Sequence, residues 1–205
     1  MSHDDIIGKL AALQAGSWVD RLRDARREAR LNAQASYEAL FKPVSFGDVS
    51  AVERFAIATF VVGLHRHPAT LSHYGGALAS LAPSVAVAVA GEIDAAAGSG
   101  PWGRFPEGPL EAENDVRAVY SVHPTRQGIL GVRLSVALEH AHLLVFHPRD
   151  ATRQSLQLLQ EAGWSTDAIV TLSQIVAFLS FQVRVAAGLA ALASAGHVTA
   201  VEEAV

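Results

Sequence analysis

The chain contains no cysteine. That absence excludes disulfides, thiolate metal sites and every catalytic mechanism that needs a sulfur nucleophile. Charge is also scarce, at 18% of residues, and the net charge of −4 offers no general attraction to nucleic acid. The basic residues concentrate in one run, RLRDARREARLN, from Arg21 to Asn32. Asp24 and Glu28 stand three or four residues from its arginines, so the run is expected to form a salt-bridged helix face rather than an anion-binding patch. Motifs with a fixed chemistry are missing as well: the sequence has no GxSxG elbow, P-loop or HExxH. Its two most apolar stretches are interrupted. Ser173, Gln174, Ser180, Gln182 and Arg184 break the C-terminal one, while Pro83, Gly91 and Glu92 bound SVAVAVA. Neither supplies about twenty uninterrupted apolar residues, so no membrane partner is expected. The start, MSHDDIIGKL, carries acids where a secretory signal needs bases, and a cytoplasmic location is the resulting expectation.

What is abundant is apolar surface. Half of the 205 residues are hydrophobic and the mean hydropathy is +0.25. A chain of this length can bury a sizeable core as one domain or as two intimately packed halves. The apolar excess suggests further surface hidden in a homo-oligomer.

The punctuation of the chain is helical throughout. Asp4 and Asp5 open a short helix that runs to about Gln14, and Ser17 can cap a second, extending from Trp18 to Phe41. Ser50 with Glu53 three residues later is a capping-box pattern at the head of AVERFAIATFVVGL. His67-Pro68 starts another helix, and Pro83 a third, SVAVAVAGEIDAAAG, whose uniformly small apolar residues suit tight helix packing. Residues 98–110, GSGPWGRFPEGPL, are too rich in glycine and proline for regular structure; Trp102 and Phe105 within them are expected to pack on a pocket or a neighbouring subunit. A helix over Glu111–Tyr120 and a long one after His123-Pro124 are expected next. His147-Pro148 begins another helix, with Leu156 and Leu159 on one stripe, stopped by Gly163. Ser165 or Thr166 then caps a final long helix whose apolar residues crowd its circumference from Ile169 onward, predicting burial on most sides. The order apolar helix, His-Pro, helix occurs at 51–82 and again at 125–162, a weak internal repeat.

The proline-started helix, the AGWS turn, the acidic cap and the segment QIVAFLSFQVRVAAGL, with Phe181, Gln182 and Arg184, together resemble the end of an alkylhydroperoxidase D-like protein of the carboxymuconolactone decarboxylase superfamily. The entry from Ser50 to Arg54 resembles the family's first conserved core helix. The resemblance implies an all-α fold of two repeated helical halves assembled as a helical-bundle oligomer. Residues 1–48 would then be an N-terminal helical extension and residues 49–205 the family domain.

Redox members of that superfamily use a CxxC pair with a nearby histidine and an upstream glutamate. Laid on that pattern, His67 falls at the first cysteine and Thr70 at the second. His73 or Tyr74 falls at the proton-shuttling histidine, and Phe55 close to the glutamate. Peroxide reduction needs one thiolate to attack and a second thiol to resolve. The resemblance therefore carries the fold and not thiol peroxidase activity.

Histidines remain. His65, His67 and His73 lie around one helix junction, and Glu139, His140, His142 and His147 around a later one; His140 and His147 are two turns apart and share a helical face. They can serve as helix-terminal and interior hydrogen-bonding groups, as general acids and bases near neutral pH, or as metal ligands converging from both halves. The catalytic candidates are His67, His73 and His140, and no metal or cofactor is expected. Decarboxylation or opening of a lactone acid, the thiol-free side of the superfamily, needs a cation for the carboxylate and a proton donor. Arg54 or Arg184 could hold that anion, with Tyr74 and Trp102 completing a substrate pocket; structural roles tying helix carbonyls and acids together are the alternative for both arginines. Two functions follow: a small-molecule-binding or acid–base protein, or a noncatalytic oligomeric partner of a flavin-dependent monooxygenase or of a cysteine-bearing paralogue.

Overall fold

A computed structural model describes residues 5–202. Those residues form nine α-helices and two short 3-10 turns, with no strand among them, so the expected all-α class holds. Asp4, expected to help open the first helix, lies outside the described residues.

Helix α1 (Ile6–Leu10) is capped by Asp5, whose carboxylate accepts the Gly8 N–H at 3.2 Å. Ser17 caps α2 (Trp18–Asp24) as its position suggested. The single helix expected from Trp18 to Phe41 is instead broken at Arg26, where φ −126° and ψ 56° leave the helical region before α3 (Arg27–Phe41). The break folds the basic run onto carboxylates that a straight helix could not gather. Arg30 bridges Asp5 at 3.1 Å and Asp20 and Asp24 at 3.0 Å each, and Arg23 also reaches Asp5.

Helix α4 (Ala51–Leu64) is the centre of the bundle. The capping box closes as read from sequence: Glu53 N–H donates to Ser50 Oγ at 3.3 Å, and Ser50 N–H to Glu53 Oε2 at 2.8 Å. Every residue from Ala56 to Leu64 is buried, because α5 (Pro68–Leu81), α6 (Pro83–Ala95), α7 (Pro124–Phe146) and α9 (Thr166–Glu202) all pack against it. Gly63 permits a close approach of α6; a Cβ there would lie 2.5 Å from Ile93 Cδ1. Fully buried Ile57, Phe60, Leu138, Leu172, Ile175 and Leu179 fill the centre, each contributing about 1.5–3 kcal/mol of transfer free energy. Ile6, Ile7, Tyr37, Leu40 and Phe41 belong to the same core, so α1 and α3 are packed into it.

Three later segments depart from expectation. Residues 111–120 are not helical apart from a 3-10 turn at Pro109–Glu113; the chain runs extended, pairing Gly103 with Asp115 in one antiparallel bridge. Helix α7 is interrupted at Gly131, whose φ of 75° and ψ of 161° lie outside the helical region. The proline start at Pro148 makes only a 3-10 turn to Asp150, and α8 (Arg153–Glu161) begins afresh with Thr152 as its cap. Gly163, at φ 89°, and the Ser165 cap then admit α9 as expected.

Helix α9 is not buried on most sides within one chain. Leu172, Ile175, Leu179, Val183 and Ala186 face the core, while Val170, Phe181 and Leu192 stay open to solvent, because the bundle covers one face only. By length and composition, α7 and α9 are both apolar enough to cross a membrane, although polar residues interrupt them.

A histidine–carboxylate cleft at the end of the seventh helix

Near its C-terminus α7 presents Glu139 and His140 in one turn, and His147 follows as the C-cap. Pro148 cannot continue the α-helix in register, since it has no N–H to give. The chain tightens into the 3-10 turn, with Asp150 N–H donating to the His147 carbonyl at 2.9 Å. That turn returns the Asp150 side chain to its own start, placing Oδ2 3.3 Å from His147 Nδ1. The other carboxylate oxygen accepts the Arg104 N–H at 3.3 Å, so Asp150 is held from both sides. Around these groups, with Tyr120 and Ser155 on the facing wall, lies a cleft of about 360 Å³.

The electrostatics of this cleft separate an acid from a base. Burial raises the Glu139 carboxyl and the nearby Glu92 carboxylate raises it further, against a lowering by the Val122 N–H that Oε1 accepts at 2.9 Å. Burial lowers the His140 imidazole. A carboxyl biased toward its protonated form thus stands beside an imidazole biased toward its neutral form, the pairing that general acid–base chemistry requires. Two buried imidazole nitrogens have no protein hydrogen-bond partner, His140 Nδ1 and His147 Nε2. Buried polar atoms are nearly always satisfied, so unpartnered ones mark places where a ligand or water completes the bonding.

Behind the cleft, Tyr120 stacks on His142 with ring centroids 4.8 Å apart and on Phe60 at 5.6 Å. Its hydroxyl donates to Glu92, a fully buried carboxylate that also receives Arg126 and the His123 N–H. Burial, and then this hydrogen bond, push the Tyr120 hydroxyl well above its usual value. His142 is pushed down to about 4 by burial and by the charge of His147, with a backbone hydrogen bond to Ala96 pulling the other way. Among the described residues no group of three or more histidine, aspartate or glutamate side chains is arranged to hold a metal ion.

Of the three histidines singled out from sequence, only His140 lines this cleft. His67 is the cap of α5, its Nδ1 accepting the Thr70 N–H at 3.4 Å. His73 lies 3.0 Å from the Tyr37 hydroxyl, in a separate small cleft where burial, and then the charges of Lys9 and Lys42, lower its pKa. Tyr74 is fully buried and donates to Gln182 Oε1 at 2.7 Å. Arg54 gives its guanidinium to three backbone carbonyls, of Val49, Leu40 and Phe46, at 3.0, 2.9 and 2.9 Å. Arg184 lines another cleft, beside His65. Trp102 rests on Phe146 and His147, both centroids 5.0 Å away, with its loop tied down by Arg149 donating to the Trp102 carbonyl at 3.2 Å. The loop therefore covers the His147–Asp150 turn and not His67 or His73.

Glu139 and His147 had been placed at this junction by sequence, and the two-turn spacing of His140 and His147 is what brings both to the cleft. Asp150 and Tyr120 were missed. The only signal for Asp150 is its place three residues after the histidine of a His-Pro, which the 3-10 turn converts into contact. No protein-family model matches the chain, and no curated protein matches it.

Proposed function

We propose that this protein binds an uncharged small molecule in the Glu139–His140–His147–Asp150 cleft and carries out thiol-independent acid–base chemistry on it, of the lyase or hydrolase kind. The observation that carries the reading is a raised carboxyl and a lowered imidazole sharing one cleft with two unpartnered imidazole nitrogens. Glu139 gives a proton and a histidine takes one, with His147 oriented by Asp150. Among the described residues no arginine or lysine lines this cleft to hold the carboxylate of a lactone acid, and a neutral lactone or ketone fits its chemistry better. The test is proton exchange: incubation of uncharged lactones and ketones with the protein in D2O, followed by NMR. Deuterium incorporation above a heat-inactivated control, lost in Glu139→Gln and His147→Gln, supports the reading; no incorporation across the set overturns it.

A second reading rests on the open apolar stripe of α9 at Val170, Phe181 and Leu192. In that reading the chain is a homo-oligomer of two repeated helical halves, as its resemblance to the carboxymuconolactone decarboxylase superfamily implies, and serves as a noncatalytic partner of a flavin-dependent monooxygenase or a cysteine-bearing paralogue. Both readings keep the protein cytoplasmic, with neither nucleic acid nor membrane as partner. Light scattering of the wild type and Phe181→Glu distinguishes them: an oligomer that the substitution dissociates favours the stripe as an interface.

A further inference from the structure

A second cleft, of about 560 Å³, lies on another side of the α7 terminus, between that terminus and the middle of α9. Its walls are apolar, from Leu144, Val145, Phe146, Val176 and Pro101. Among the described residues only two titratable groups line it, His65 and Arg184, and neither is an acid. His65 Nε2 lies 3.1 Å from Ser180 Oγ, and burial and then the Arg184 charge lower its pKa, which favours the neutral ring. Arg184 spends one nitrogen on the Ser180 carbonyl, Nη1 donating at 2.7 Å. Among the described residues no carboxylate lies within ion-pairing distance of it, and Nε and Nη2 have no protein partner.

An exposed guanidinium with two free donors at the side of an apolar cleft suits an apolar body ending in an oxyanion, and a carboxylate matches the planar fork of the arginine. The volume falls in the range of small-molecule sites, and the apolar lining with one placed polar group is their usual composition. The acid–base cleft takes such a ligand less well, because among the described residues no arginine or lysine lines it and the Asp150 carboxylate would repel an anion. We propose that the cleft between α7 and α9 is a binding site for an aliphatic carboxylate, with Arg184 gripping the carboxylate and the apolar wall holding the chain. This assignment is independent of the acid–base reading.

The test is calorimetric titration of the full chain with octanoate, using 1-octanol as the uncharged control of equal length. Octanoate is expected to bind more tightly than about 1 mM and at least about tenfold better than the alcohol. Arg184→Gln should weaken octanoate about tenfold or more and leave octanol unchanged. Ala177→Trp, at an exposed position on the α9 wall, should block both while thermal unfolding shows the fold intact. Glu139→Gln should leave octanoate binding as it was, which separates this site from the acid–base cleft. The proposal is overturned by absence of octanoate binding, by equal affinity for acid and alcohol, by insensitivity to Arg184→Gln, or by loss of octanoate binding in Glu139→Gln.

Discussion

Replacing Arg54 with Met should destabilise the protein severely while leaving both clefts chemically intact. The guanidinium is buried with three nitrogens each donating to a backbone carbonyl, and no carboxylate pairs with it among the described residues. Its bonds join the end of α3, the loop after it and the start of α4, at Leu40, Phe46 and Val49. Met fills most of the stem volume but satisfies none of the carbonyls. Those of Leu40 and Val49 are buried, and a buried acceptor left unmade costs about 1–3 kcal/mol, while the Phe46 carbonyl can find water. Removing a desolvated cation returns part of that cost, since burial disfavours the charged form and already lowers the Arg54 pKa. The expected net loss is about 3–4 kcal/mol, which at about 2–4 °C per kcal/mol for a chain of this size lowers Tm by about 6–16 °C. Arg54→Lys, able to reach one carbonyl, should recover part of the loss. The assay is urea unfolding followed by circular dichroism, with amide exchange across residues 42–50 locating the opened loop. A loss under about 1 kcal/mol in the Met variant would refute the view that these hydrogen bonds fasten the loop.

Other perturbations test other joints. His142 titrates at about 4 when folded against about 6.5 unfolded, so the unfolded chain binds more protons in that window and stability must fall as pH drops from about 6.5 to about 4. The full drop from this residue is about 3 kcal/mol, and His142→Phe should flatten a Tm profile across the window; an unchanged slope contradicts the assignment. Gly63→Ala forces a methyl against the Ile93 side chain and should cost about 1–3 kcal/mol, with Ile93→Ala recovering part of it in a double-mutant cycle. Ser50→Ala should cost about 1 kcal/mol in chemical unfolding by removing one half of the capping box that starts α4.

Local signals carried the element map where a residue acts on its own neighbourhood. Ser17, Ser50 and Gly163 work through backbone groups within a few positions, and their helices start or stop as read. Expectation failed where a distant partner decides the outcome. Residues 111–120 have adequate helical character, but Asp115 pairs its backbone with Gly103 and Tyr120 is held by Glu92. Long-range pairing of that kind leaves no periodic trace in the sequence. Arg54 and His73 have the chemistry of site residues, yet the partners that occupy them are the carbonyls at residues 40–49 and the Tyr37 hydroxyl. Asp150 was invisible for the opposite reason, since nothing marks a 3-10 turn in advance beyond a single proline. His140 and His147 were legible together because a helix converts spacing into direction.

That same conversion gives the interruption at Gly131 a consequence for how the protein can change. In an unbroken helix each inserted or deleted residue turns everything beyond it by about 100°, so a single length change upstream would swing Glu139, His140 and His147 away from their cleft. At Gly131 the angular register of α7 is interrupted, and the residues beyond it are set by their own packing on α4 and α9. The opening turns of α7, anchored through Arg126 on Glu92, can therefore gain or lose a residue with the damage stopping at the glycine. Length variation within the opening turns of α7, at 124–130, is tolerable to the cleft; length variation between 132 and 147 is not.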